Sequence, residues 1–155
     1  MSNSRIYDPI RKTYVLALPE EKVRQKLIHN MINELGFPKS LIAVEKDLLS
    51  LEHIKQKEFA SKKRRADIIC FAKDIDENYS IYPLLMIECK AFKLNSKTID
   101  QVLGYNHYIK AFFVAIANEY EIITYWYNIK EKKYKSVNFL PSFNELRQMV
   151  IYAKY

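Results

Sequence analysis

Apolar residues along this chain follow two rhythms. Val23, Leu27, Ile28, Met31 and Leu35 recur at helical spacing. Pro19 stands where a first helical residue is favoured, Glu20 and Glu21 follow it, and Gly36 with Pro38 just beyond supplies a stop. This pattern predicts an amphipathic helix. Elsewhere the apolar residues run on without a break, as in strands covered on both faces. Such runs occupy residues 41–45, 66–72, 111–117 and 121–127, and the strongest is 83–90, read as a central strand. Residues 98–101, Thr-Ile-Asp-Gln, resemble a capping box. The helix they open carries Ile99, Val102, Leu103 and Tyr105 toward Lys110.

The remaining segments are shorter. Residues 1–18 form an N-terminal arm with a strand expected at 13–18. Leu48, Leu49, Leu51 and Ile54 lie in a lysine-rich segment and suit either a strand or a short helix. Residues 74–78 and 130–133 read as turns, 134–139 as an edge strand, and 143–152 as a closing amphipathic helix. The order is helix, strands, helix, strands, helix. It predicts an α/β fold with a mixed central β-sheet flanked by helices. All 155 residues are read as one domain: the arm, a core over about 19–128, and a C-terminal strand and helix over 129–155.

Composition narrows the function classes. The chain holds only two glycines, and it has neither a G-x-G-x-x-G nor a Walker A sequence, so nucleotide-cradling loops are disfavoured. Its two cysteines, Cys70 and Cys89, sit inside apolar runs and are read as buried free thiols. No apolar run approaches the ~20 residues that span a bilayer. The first residues lack the apolar stretch of a secretory signal, so a cytoplasmic location is expected and no membrane partner. The formal net charge of +7 leans toward a polyanionic partner, although lysine-rich, isoleucine-rich usage also follows from codon bias.

Charges inside the two strongest strands need explaining. Asp67 interrupts one run; Glu88 and Lys90 interrupt the end of the other. Residues two apart on a strand share a face, so Glu88 and Lys90 project side by side. If the Asp67 strand is the neighbour, two carboxylates and an ammonium converge. Burying such charges is costly unless they pair or hold a metal. Mg²⁺ takes one or two carboxylates and keeps waters and phosphate oxygens, which suits Asp67 and Glu88. A lysine beside it can orient a water or offset phosphate charge, so the set suits phosphodiester hydrolysis. The plainer reading pairs Asp67 with Arg64 or Arg65 and makes Glu88 and Lys90 a solvated strand end.

These residues bear a closer likeness. Residues 67 to 90 resemble the D…(D/E)-x-K signature of the PD-(D/E)xK nuclease superfamily, and the chain is similar to the N-terminal nuclease domain of type I restriction enzyme R subunits. Leu18-Pro-Glu-Glu-Lys-Val-Arg-Gln resembles the family's opening P-E-E-x-V-R-Q helix. Lys63-Arg-Arg-Ala-Asp-Ile-Ile resembles its R-R-x-D-I strand, and Leu85-Met-Ile-Glu-Cys-Lys-Ala its I-E-x-K-A strand. Asp100-Gln-Val-Leu-Gly-Tyr-Asn resembles its Q-x-x-x-Y helix. The matches keep their order from about Leu18 to Trp126.

The resemblance implies a restriction-endonuclease-like core and an Mg²⁺- or Mn²⁺-dependent nuclease acting on nucleic acid, DNA first. Asp67 and Glu88 would hold the metal, with the Cys89 carbonyl as a further ligand, and Lys90 would assist the attacking water. Glu20, with Glu21 as the alternative, would reach the metal through water; acidic residues at a helix start are also stabilising in their own right. Gln101 and Tyr105 lie one turn apart on one face, which borders the active site in the family. The same two residues equally suit an ordinary helix.

Lys62, Lys63, Arg64 and Arg65 form either a solvated loop or a track for the nucleic-acid backbone. The chain departs from the family pattern in carrying Phe92 after Ala91, where proline is frequent, and Glu119 after Asn118, where glycine is common. No counterpart of the R subunit's motor domain appears, so a cutting module rather than a translocating subunit is expected. A duplex cutter would need two sites, which a homodimer supplies. Two other readings stand beside the nuclease: a non-catalytic nucleic-acid-binding or assembly module, and a structural domain with a buried salt-bridge cluster.

Overall fold

The computed structural model describes residues 3–54 and 65–153. A hairpin of β1 (Arg5–Asp8) and β2 (Thr13–Leu16) leads into helix α1 (Pro19–Asn33). Strand β3 (Ile42–Asp47) and a single 3-10 turn at Leu48–Ser50 precede the segment that is not described. Then come β4 (Arg65–Lys73), β5 (Ile81–Cys89), helix α2 (Ser96–Ile109), β6 (Phe113–Ala117), β7 (Ile122–Asn128), β8 (Lys133–Val137) and helix α3 (Phe143–Ala153). Strands β3 to β8 make one six-stranded sheet in sequence order. Every neighbouring pair is antiparallel except β5–β6, which is parallel. That exception has a cause: parallel strands need a long crossover, and α2 is that crossover. The result is the expected mixed α/β architecture.

The sheet divides the apolar residues into two clusters. Ile68, Cys70, Leu85 and Ile87 turn to one face and share a cluster with Ile28 and Met31 of α1 and Leu146 and Val150 of α3. Ile69, Met86, Val114 and Ile116 turn to the other and share a cluster with Val102, Tyr105 and Ile109 of α2. Each fully buried side chain of this kind contributes roughly 1.5–3 kcal/mol. Strand β5 is buried from Tyr82 to Cys89 because helices cover both its faces.

Several local details differ from the pattern-based reading. The arm is a hairpin, and its first strand went unseen because Arg5–Asp8 alternates too weakly to register. Its tip is held by Asp8, whose Oδ1 accepts from the Ile10 and Arg11 amides at 2.7 and 3.0 Å. Strand β5 starts two residues before Pro83; a register shift where Phe71 faces Pro83 absorbs the proline's missing donor. Helix α2 starts at Ser96, before the supposed capping box. Asn95 is its cap, accepting from the Thr98 amide at 2.9 Å. Leu94 and Ile99 stand at hydrophobic-staple positions and belong to one apolar cluster, which settles the entry angle ahead of Thr98. Gly36 does end α1's turn, with φ +69. Among the described residues no helix is long and apolar enough to cross a membrane.

Candidate active site

The pairing of β4 with β5 decides where the charges go. Ile68 faces Ile87, Ile69 faces Met86, and one further step of that register sets Asp67 opposite Glu88. Opposite residues on paired strands project to the same face. The Asp67 Oδ2 also accepts the Cys89 amide at 2.7 Å, which pins the aspartate to β5. The Lys90 amide donates to the Ala117 carbonyl at 2.8 Å, so the strand geometry continues one residue beyond Cys89. Lys90 therefore shares the face of Glu88. By alternation this is the Ile69 and Met86 face, the one α2 covers.

Glu88 and Lys90 line a cavity of about 330 Å³ together with Gln101, Gly104, Tyr105 and Tyr108 of α2. Glu88 is 1 % exposed; Asp67 and Lys90 are half-buried. Tyr105 is buried in the α2 cluster, and burial, then Glu88, then Asp67 push its hydroxyl pKa up. The Cys89 thiol is pushed up in the same way by burial and by Asp67; Arg24 pulls it back, and Glu88 and Glu20 add smaller pushes. Both groups thus lie close to the Asp67 and Glu88 carboxylates of β4 and β5. Cys70 and Cys89 are buried free thiols.

The two acidic residues that open α1 part company. Glu21 is buried and taken up by structure: Arg11 of the hairpin and Arg24 both pair with it, and the Gln25 amide donates to it at 3.3 Å. Glu20 is exposed at the helix start, on the side whose charge reaches Cys89. Gln101 is exposed at the cavity rim. Arg65 donates to the Glu45 carbonyl at 2.8 Å, not to Asp67. Lys62, Lys63 and Arg64 lie outside the described residues.

Sequence reasoning missed a support behind Asp67. On its β3 side, Val44 faces Ile68 and Lys46 faces Ala66, so Glu45 stands level with Asp67. Glu45 has φ +55, a left-handed backbone unusual for a non-glycine residue, and the pair between them is missing from the ladder. Arg24 fills the break. Its Nη1 lies 2.7 Å from Glu45 Oε1 and 3.5 Å from the Asp67 carbonyl, and its Nε lies 2.9 Å from Glu21. Arg24 is 7 % exposed, and although burial lowers its pKa, Glu45, Glu21 and Asp67 together raise it above the ordinary arginine value. Two hints lay in the sequence: Arg24 is a basic residue on the buried stripe of α1, and it is the arginine of the P-E-E-x-V-R-Q resemblance.

The chain matches the family model of the type I restriction enzyme R protein N terminus (HSDR_N) over residues 19–141. It belongs to that family. No curated protein and no solved structure matched. In this R-protein N-terminal domain the matched stretch runs from the first residue of α1 past β8, and so contains Glu20, Glu21, Arg24, Glu45, Asp67, Glu88, Lys90, Gln101 and Tyr105 but not Arg11. Among the described residues, no group of three or more His, Cys, Asp and Glu side chains is placed to hold a metal. The donors at hand are the two facing carboxylates. Such a hard-oxygen pair suits a cation that retains water, Mg²⁺ or Mn²⁺, rather than a closed structural site.

Proposed function

We propose that this R-protein N-terminal domain is a metal-dependent nuclease that hydrolyses phosphodiester bonds in DNA. One observation carries the reading: Asp67 and Glu88 face each other across β4 and β5, and Lys90 lies on the same face and lines one cavity with Glu88. Two carboxylates held this close in a part-buried setting repel, and an Mg²⁺ or Mn²⁺ ion is the partner that relieves the repulsion. Asp67 and Glu88 would hold it, the Cys89 carbonyl would add a ligand, and Glu20 would reach it through water. Bound there, the ion would supply charge neutralisation for the phosphate and a lowered pKa for an attacking water.

The protein's own groups do the rest. Lys90 orients the attacking water and offsets charge that grows on the phosphate oxygens. The water oxygen bonds to phosphorus, the P–O bond to one sugar breaks, and the leaving oxygen takes up a proton. Gln101 and Tyr105 form the α2 wall against which the scissile phosphate rests. Asp67, tied to the Cys89 amide, keeps one orientation throughout. A nuclease acting on DNA in this way would work in the cytoplasm. Cutting both strands of a duplex would pair two copies of the site.

The test is incubation with supercoiled, linear and single-stranded DNA, with and without Mg²⁺ or Mn²⁺. Wild type is expected to cut only with metal. Lys90→Ala is expected to cut at least ~100-fold more slowly, the lower end for a positioned proton-handling group, with fold and DNA binding intact. A wild type that binds DNA but never cuts it with Mn²⁺, indistinguishable from Lys90→Ala, would establish the binding-module reading instead. Cutting undiminished in both Lys90→Ala and Asp67→Asn would remove the assignment of this site.

A further inference from the structure

A second surface leads away from Lys90. Between α1 and the turn joining β6 to β7 lies an open groove of about 990 Å³. Lys22, Lys26 and His29 line it from α1, all exposed and spaced i, i+4, i+7, so they form one row along the helix. The opposite wall carries Tyr120, 88 % exposed. The groove shares Ala91, Asn118, Glu119, Tyr120 and Glu121 with a smaller cavity of about 320 Å³, which Phe92 and Lys93 also line. Phe92 is 53 % exposed, and the Lys90 ammonium stands 5.9 Å from the centre of its ring. Lys90 thus stands between the candidate cavity, which it lines, and the Phe92 ring of the smaller cavity.

The two aromatic loops are built, not loose. Asn118 Nδ2 donates to the Phe92 carbonyl at 3.2 Å, and its Oδ1 accepts from the Tyr120 and Glu121 amides, both at 2.9 Å. One side chain thus holds both ring-bearing segments. Rings this exposed add little to the core, and keeping them in water costs apolar hydration. Two lysines beside exposed rings are what a nucleic acid strand with unpaired bases requires: phosphates follow the charges and bases stack on the rings. A duplex keeps its bases stacked inside and has no face to offer. Glu119 and Glu121 line the opposite wall and keep a phosphate backbone on the lysine side, and Glu34 at the C-terminal end of α1 bounds the row.

We infer that this groove binds single-stranded DNA, with Lys22 and Lys26 on the phosphates and Phe92 and Tyr120 stacked on bases next to the candidate site. The inference rests on the nuclease reading for its choice of substrate and extends it to the substrate's strandedness. The test is fluorescence anisotropy with metal chelated, using labelled oligo(dT), oligo(U) and a DNA duplex of equal length. Wild type is expected to bind oligo(dT) most tightly. Tyr120→Ala and Phe92→Ala should each weaken oligo(dT) binding roughly five- to 140-fold, the range for one lost stacked base, and leave the duplex unaffected. Tyr120→Phe keeps the ring and should restore binding.

Replacing Lys22 and Lys26 together by Gln should flatten the slope of log affinity against log salt by about 1.4, two single-strand phosphates' worth. Tighter binding of duplex or of oligo(U), or unchanged oligo(dT) binding by Tyr120→Ala, would overturn the inference. Without metal the measurement is independent of cleavage. Metal-dependent cutting with a duplex preference would sink the groove and spare the nuclease. Ring-dependent oligo(dT) binding with no cutting under Mn²⁺ would do the reverse.

Discussion

Replacing Arg24 by Met tests whether the support behind Asp67 matters. Methionine keeps much of the apolar stem and removes the guanidinium. Arg24 is buried, and its pairing to Glu21 lies in an equally buried place, with side chains 9 % exposed on both sides. Removing one partner of a buried pair typically costs about 3–5 kcal/mol, because the other charge is left behind. Two features argue for the lower end. Glu21 keeps Arg11, and Glu45 is 38 % exposed at its side chain and can turn to water. The expected loss is therefore about 3 kcal/mol for Arg24→Met and only about 1 kcal/mol or less for Glu45→Gln, as for a largely solvated pair. Urea unfolding followed by circular dichroism measures both. Arg11→Met placed on top of Arg24→Met should cost at least about 1 kcal/mol more than Arg11→Met alone, since Glu21 then loses its last cation. Titration with Mn²⁺ should show weaker binding by folded Arg24→Met, because the Asp67 strand loses its brace. An Arg24→Met loss below about 0.5 kcal/mol, with no coupling to Arg11, would refute the reasoning.

Other consequences are simpler to state. Burial alone would raise the Asp8 pKa, but bonds from Arg11, Ile10 and Gln25 outweigh it and hold it below the ordinary 3.8. A depressed carboxylate contributes stability above its unfolded pKa and loses it as pH falls through the folded one, so Asp8→Asn should flatten the acid limb of a stability-versus-pH curve below about pH 4. An unchanged acid limb would contradict this. Asn95→Ala should cost about 1 kcal/mol by removing the α2 cap, measured by urea midpoint; the capping-box alternative would put that loss on the Thr98 side chain instead. Gly36→Ala meets no atom within 4 Å, so its cost of about 1 kcal/mol should come from the φ of +69 alone, and Gly36→Asn should recover part of it. Burial pushes both thiols up, so Ellman's reagent should label Cys70 and Cys89 only after denaturation.

Much of this protein was legible before any coordinates, and for a local reason. Pro19 and the spacing from Val23 to Leu35 specify α1 through contacts within a few residues, and the uninterrupted run before Lys90 specifies a strand covered on both faces. Glu88 and Lys90 share a face by the period of a strand alone. The relation of Asp67 to Glu88 is of another kind. It depends on register between strands about twenty residues apart in sequence, and a slip of one residue would have sent Asp67 to the α1 side. The fate of Glu20 and Glu21 was likewise undecidable from the helix. Arg11 reaches Glu21 from a hairpin, and that hairpin exists because Asp8 ties its own turn. Arg24 and Glu45 meet across the break in β3, where a left-handed residue interrupts the ladder and leaves the Asp67 carbonyl for a side chain to reach. Periodicity records which face a residue occupies. Which charge stands opposite, and whether it is spent on an ion pair or turned to a cavity, is set by topology, because electrostatic partners are chosen by distance in space and not by separation along the chain.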